Sequence, residues 1–212
     1  MSNMDIDQKN NLIRPCVLYE SIKKPLIDIS LKYKNSYYFY HEKENMYKMH
    51  VYNCGDVLIN YSKSYKLYKN KSTTIYINGI LNPICNKESK VITRMGYYNE
   101  DNGVFVECCG NKLSFVIRWS SDDTTHNDVI TQVMWSSDIH LILKKLLRLD
   151  RIISFQCIIS SKDIELGFNM NGIFYKAYTY NLKSSFDDLP ITYEIISFDS
   201  DGSLIQVGAS IQ

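Results

Sequence analysis

An α+β fold of two similar lobes, each a helical region packed on antiparallel sheet, is the architecture this sequence predicts. Three observations predict it. Aromatic and β-branched residues alternate with polar ones over most of the chain, one stretch near residue 140 has amphipathic helical spacing, and a polar, acidic segment at 120–128 separates two stretches of similar pattern. A chain of 212 residues can bury one sizeable core or two small ones. With 45% apolar and 22% charged residues, it belongs among folded rather than disordered chains.

Residues 1–14 read as a flexible polar leader, without the apolar centre of a signal peptide. Residues 17–33 are legible in two ways. Ile22, Leu26, Ile29 and Tyr33 keep helical spacing with Pro25 tolerable in a first turn, whereas Ile27, Ile29, Leu31 and Tyr33 alternate with polar neighbours as a strand would. The helix reading is preferred. Residues 37–61 are strongly β, with turns at 42–45 and 53–56, and 73–78 forms another strand. A short apolar piece at 80–84 is interrupted by Pro83. Strands at 90–98 and 104–108 join through the Asn-Gly end of 99–103, and a turn at Gly110-Asn111 leads into 113–119. The first lobe is thus 15–119, the connector 120–128 and the second lobe 129–212.

The second lobe opens with a strand at 129–135, followed by Ser136, Ser137 and Asp138, which carry N-cap chemistry. Ile139, Ile142, Leu143, Leu146 and Leu147 share one helical face, while His140, Lys144, Arg148 and Arg151 share another with Lys145 beside them. No acidic residue lies between Ile139 and Leu149, so the exposed face lacks the mixed signs that solvated helices use for pairing. Strands follow at 153–160, 164–169, 173–182, 191–198 and 204–211.

Composition and motifs exclude more than they assign. Lysine and arginine number 24 against 23 acidic residues, a net charge of +1 that permits a local basic stripe. Cys16, Cys54, Cys85, Cys108, Cys109 and Cys157 have no metal-ligand spacing and read as small apolar residues of a reducing compartment, Cys108 and Cys109 pointing to opposite faces of a strand. His41, His50, His126 and His140 are scattered, the Asp122-Asp123 and Asp199/Asp201 carboxylates sit in turns, and no glycine-rich phosphate loop occurs. No enzyme activity, cofactor or metal is expected. The aromatic pairs of 37–40 and 174–175 read as cross-strand packing in preference to stacking platforms for single-stranded nucleic acid. No apolar run reaches membrane-spanning length, so no membrane partner is expected and an intracellular, non-secreted place is.

The stretch ITQVMWSSDIHLILKKLLRLDRIISFQCIISSKDIELGFNMNGIFYKAYTYN resembles the opening of the second domain of DNA sliding clamps, the family of proliferating cell nuclear antigen and the checkpoint clamp subunits. KMHVYNCGDVLINYSKSYKLYKNKSTTIYINGIL resembles a clamp's first domain, and LPITYEIISFDSDGSLIQVGASI its last hairpin. Measured against that family, the span between Leu182 and Ile191 is short, which gives a divergent clamp with a shortened second lobe.

The resemblance implies that helices line a central hole. Lys23, Lys24, His140, Lys144, Lys145, Arg148 and Arg151 would face duplex DNA, releasing counterions from phosphates without reading bases. It implies an oligomer, homo- or hetero-, in which the strand of Leu113, Phe115 and Ile117 pairs with a neighbour's strand of Phe174, Lys176 and Tyr178. It also implies a client-peptide site beside the connector, at Trp119, Ser121, Asp122 and Asp123. The function so implied is a non-enzymatic scaffold or processivity factor of DNA replication or repair. It would recruit a polymerase or other replication or transcription protein, in the nucleus or in a viral replication compartment of the cytoplasm. Two alternatives stand beside it: a clamp-fold viral-type transcription or replication adaptor that does not encircle DNA, and an all-β viral host-interaction protein.

Overall fold

A computed structural model describes residues 27–31, 36–41, 46–52, 55–65, 72–81, 84–85, 90–109, 112–146, 152–183, 186, 188–198 and 206–211. Its strands in chain order are β1 (Ile27–Leu31), β2 (Ser36–His41), β3 (Met46–Tyr52), β4 (Gly55–Tyr65), β5 (Thr73–Ile80), β6 (Ile84–Cys85), β7 (Lys90–Tyr98), β8 (Gly103–Cys109), β9 (Lys112–Ser121) and β10 (Thr124–Thr131). The helix α1 (Ser137–Leu146) follows, then β11 (Ile152–Ile159), β12 (Asp163–Met170), β13 (Ile173–Asn181), β14 (Leu189–Phe198) and β15 (Gln206–Ile211). The first sheet runs β1-β4-β14-β7-β8-β9-β10. The second runs β13-β12-β11-β5-β15-β3-β2, with β6 paired to β15.

Alternation in the strands explains why two sheets form and how they meet. In β7, Met95 and Tyr97 point inward, as do Val104, Val106 and Cys108 in β8 and Leu113, Phe115 and Ile117 in β9. The second sheet answers with Ile75 and Ile77 of β5, Phe155 and Cys157 of β11, and Leu166 and Phe168 of β12. The Phe115 ring lies 5.9 Å from Phe155 and 5.5 Å from Phe168, centroid to centroid, so one aromatic cluster spans both layers. At Gly79 the two layers meet tightly. A Cβ there would stand 2.8 Å from Met95 Sδ and 3.0 Å from the Tyr193 ring of the opposite sheet, room that only glycine leaves.

This arrangement corrects the α+β reading. Each sheet draws strands from both sides of 120–128: the first combines β1, β4, β7, β8 and β9 with β10 and β14, the second β2, β3 and β5 with β11, β12, β13 and β15. The two halves of the chain are interleaved in one all-β sandwich and do not form separate lobes. Segment 120–128 is no interdomain connector but the β9–β10 hairpin, in which Ser121 pairs with Thr124 around Asp122-Asp123. Both aspartates take left-handed backbone angles, φ 50° and 59°, as the tight primed turns of hairpins require. The polar run was misleading because β10 is an edge strand whose residues Thr124 to Asn127 are all exposed, so no apolar alternation betrays it.

The resemblance to sliding clamps falls with the lobes. Among the described residues there is one α-helix, and it turns its apolar side into the sandwich. Ile139 and Ile142 join Trp135 in the core, and Leu143 packs against it. Ser136 donates its N–H to Ala177 O at 2.8 Å and its hydroxyl to Lys176 O at 2.6 Å, tying the helix start to β13 where the sequence suggested a cap. The helix therefore spans from the end of β10 in the first sheet to edge strand β13 of the second. Within 17–33, Ile27–Leu31 is a strand paired with β4, which overturns the helix preference there, and 17–26 lies outside the described residues.

Candidate functional site

Opposite the core, the two sheets carry different side chains. On the first sheet, rows across β7, β8 and β9 set Tyr98, Gly103 and Arg118 side by side, then Gly96, Phe105 and Val116, then Arg94, Glu107 and Ser114. Tyr98 and Phe105 pack with centroids 4.5 Å apart and are buried together with Val116. The Arg118 guanidinium lies 5.0 Å from the Phe105 centroid and 5.9 Å from that of Tyr98, with Arg94 at 5.7 Å from Phe105. Arg94 also bonds Glu107 at 2.8 Å and Glu194 at 2.9 Å. Burial opposes its charge, but the two carboxylates outweigh that and raise its pKa. Burial and the charge of Arg94 lower that of Arg118. This face spends its cations and rings on one another.

Across β5, β11, β12 and β13 the second sheet presents a face of amides, hydroxyls and rings. Asn78 of β5, Ser154 of β11, Asn169 of β12 and Phe174 of β13 form one row across four strands. Tyr76, Gln156, Gly167 and Lys176 form the next. Ser154 donates to Asn78 Oδ1, and Asn169 Nδ2 donates to Gln156 Oε1 at 3.0 Å. Asn169 Oδ1 accepts the Gly172 N–H of the β12–β13 turn at 3.1 Å, so that amide is held at both ends. Gln156, only 3% exposed, is the floor of the site, while Tyr76, Asn78, Ser154, Asn169 and Phe174 are half-buried around it. Gly167 makes the floor possible. A Cβ there would meet Tyr175 O at 2.1 Å and the Phe174 ring at 2.7 Å, so the missing side chain lets the ring settle over the strand. The nearest ion pair, Lys176 to Glu165 at 2.9 Å, lies beside this cluster and neutralises itself.

The residues predicted from the sequence are dispersed by the fold. Lys23, Lys24, Arg148 and Arg151 lie outside the described residues. His140, Lys144 and Lys145 are exposed on α1, whose other side is core, and no second described helix stands with it to line a channel for DNA. The proposed subunit contact fails on topology. Strand β9 is bonded on both sides, by β8 and β10, and Leu113, Phe115 and Ile117 are core residues. Of the other half, Phe174 and Tyr178 are half-buried, Lys176 pairs with Glu165, and Ser136 already occupies the β13 backbone. With the ring gone, so is the basis for duplex DNA and a polymerase as partners and for a role in replication.

The four residues assigned to a client peptide belong to the hairpin. Trp119 stacks on His126 at 5.3 Å, Ser121 Oγ lies 3.2 Å from His126 Nε2, and Asp122 and Asp123 are the exposed turn. Lys183, just past β13, stands 4.5 Å over the Trp119 ring and bonds Asp128 at 2.7 Å, and Asp128 also accepts the Tyr180 hydroxyl. Burial works against the Asp128 charge, but the bonds from Lys183 and Tyr180 prevail and hold its carboxyl below the ordinary range. Burial and that same bond push Tyr180 up. The cluster fastens the edge of one sheet to the edge of the other.

Sequence reasoning missed Tyr76, Asn78, Ser154, Gln156 and Asn169. Their signal was present in the alternation of Thr-Tyr-Asn with isoleucine at 74–78 and of Ser-Gln with Phe and Cys at 154–157, where the outward positions are hydroxyls and amides rather than charges. Cys108 and Cys157 are buried, and burial pushes the Cys108 thiol up to about 12 and raises that of Cys157, which keeps both out of thiolate chemistry.

No family model and no curated protein matches this sequence. Among solved structures, the chain is similar to the binding domain of botulinum neurotoxin serotype G, with 11% identity and a TM-score of 0.47 over 88% of this chain and 43% of that one. It is similar to a legume lectin-like domain from Entamoeba histolytica, with 12% identity and a TM-score of 0.46 over 88% of both chains. A botulinum neurotoxin type C structure, described for a cell entry that depends on two ganglioside molecules, matches at 14% identity and a TM-score of 0.44 over 87% of this chain and 42% of that one. The chain spans less than half the length of the toxin chains it matches. None of these matches is a DNA clamp.

Proposed function

We propose that this chain is a non-enzymatic, all-β binding protein of the host-interaction kind, and that the outer face of its second sheet takes a neutral, polyhydroxylated ligand such as a glycan. The observation that carries the reading is the amide row: Asn78, Ser154, Gln156 and Asn169, prearranged by their own hydrogen bonds and flanked by the half-buried rings of Tyr76 and Phe174. Amides and hydroxyls both donate and accept, which matches a ligand whose groups do the same. Aromatic rings supply apolar contact to the C–H faces of such a ligand. Among the described residues, the cation beside this face is Lys176, already paired with Glu165, which leaves little to offer phosphate. Holding the amides in place beforehand lowers the ordering cost of binding.

The test is an array of neutral and acidic oligosaccharides, with hits titrated by calorimetry against the native chain and Asn78→Ala. The expected result is binding of neutral sugars, weakened about tenfold by the loss of one amide. Absence of any neutral hit, or an Asn78→Ala chain that binds like the native one, would remove this assignment.

A further inference from the structure

The described helix carries a second surface that the amide face does not use. At about 100° per residue, the side of α1 opposite Ile139 and Ile142 holds His140, Leu141, Lys144 and Lys145, all exposed. Leu141 is 80% exposed, near the middle of that side, with both lysines one turn further along. Just before the helix, Val133 is 88% and Met134 47% exposed. One exposed leucine needs no explanation. Three apolar side chains are exposed between 133 and 141, and two lysines and a histidine are exposed on the helix that follows from 137. Asp138, the one acidic residue of the helix, is placed in the first turn where the helix dipole favours it.

We infer that this face docks on the surface of an anionic lipid bilayer. Protruding aliphatic side chains gain most from a medium that can close around them, and acyl chains do so where a rigid protein surface would need a matching socket. Lysines flanking them keep their ammonium groups at the level of lipid phosphates while their stems lie along the apolar layer. The charge complementarity specifies the lipid: Lys144 and Lys145 face outward, and neither makes an ion pair among the described residues. The sequence excluded a membrane partner because it has no spanning run, and no described helix is long and apolar enough to cross. Docking in the plane of the interface requires neither. The inference is independent of the glycan reading, since it uses a different face.

The experiment is co-sedimentation of the full chain with phosphatidylcholine vesicles, with and without phosphatidylserine, at low and high salt. The native chain is expected to pellet with phosphatidylserine vesicles, less at high salt. Replacing Lys144 or Lys145 by Gln should weaken this about fivefold each, and Leu141→Asp should abolish it while the far-ultraviolet dichroism of the chain stays native. No pelleting with anionic vesicles, equal pelleting with phosphatidylcholine alone, or variants that pellet like the native chain would each overturn the inference. Retention on immobilised polyglutamate without vesicle binding would overturn it in favour of an acidic protein.

Discussion

The outer faces of the two sheets are built on the same pleated geometry and reach opposite chemical states. On the first, Arg94 and Arg118 cover Tyr98 and Phe105, and the carboxylates of Glu107 and Glu194 take up Arg94. Rings, cations and anions there satisfy one another, and the cost of separating them is high. On the second, four neutral side chains are oriented by hydrogen bonds to one another and, at Asn169, to the Gly172 N–H, and amides and hydroxyls so held keep capacity to donate and accept. A face whose groups are mutually consumed contributes stability. One whose groups are only oriented is able to recognise a ligand, and the contrast predicts that mutations on the two faces will separate stability from binding.

The strongest way to break this contrast is Phe105→Ala. Phe105 is 1% exposed and carries both guanidinium contacts, so its loss should cost about 4 kcal/mol in urea unfolding while a glycan bound at the second sheet keeps its affinity in the surviving folded fraction. Next comes Gly167→Ala, which tests the opposite face. The added methyl meets Tyr175 O at 2.1 Å and the Phe174 ring, and should cost about 2 kcal/mol and weaken the ligand together with stability. Equal losses of binding in both variants would show that the faces are not independent.

Strands were legible because alternation is a local property. The signals at 90–98, 113–119 and 164–169 match β7, β9 and β12 within a few residues at their ends. What the sequence did not contain was partner choice. Strand β5 lies beside β11, and β14 beside β4 and β7, pairings across more than 70 residues that no local pattern encodes. A helix on an antiparallel sheet with glycine turns suits a clamp lobe and a sandwich alike until those pairings are known, which is how the resemblance arose. The amide face was hidden for the same reason: Asn78 and Ser154 become neighbours only through the β5–β11 register.

The tie between the sheets at Asp128 makes a smaller and pH-dependent prediction. Asp128 is held below its ordinary 3.8, so its contribution is present above that pH and lost as pH falls through the lowered folded value. Tyr180 is raised above its ordinary 10.0, so its share is whole below that pH and lost as pH rises through the raised value. Chemical unfolding should therefore find the tie intact from about pH 4 to about pH 10. Asp128→Asn should lose about 1 kcal/mol at neutral pH, a value discounted for the partial exposure of the pair, and should show a shallower acid limb than the native chain. An unchanged acid limb would assign the acid sensitivity to other carboxylates.

The smallest effect has the opposite sign. Asp122 and Asp123 both occupy left-handed backbone angles, a conformation that costs most residues about 1 kcal/mol and aspartate somewhat less, because its short side chain finds local hydrogen bonds there. Asp123→Gly removes that cost at the second position, where hairpins of this kind favour glycine, at the expense of a more flexible unfolded chain. The two nearly offset, leaving a gain of about 0.5 kcal/mol in urea unfolding. Were 120–128 a connector or a client-binding loop, the same change would loosen it and weaken whatever it holds. A hairpin at the edge of the first sheet should instead become more stable while binding at the amide face stays where it was. A destabilised Asp123→Gly chain would mean that the aspartate side chain is itself a structural part of the turn.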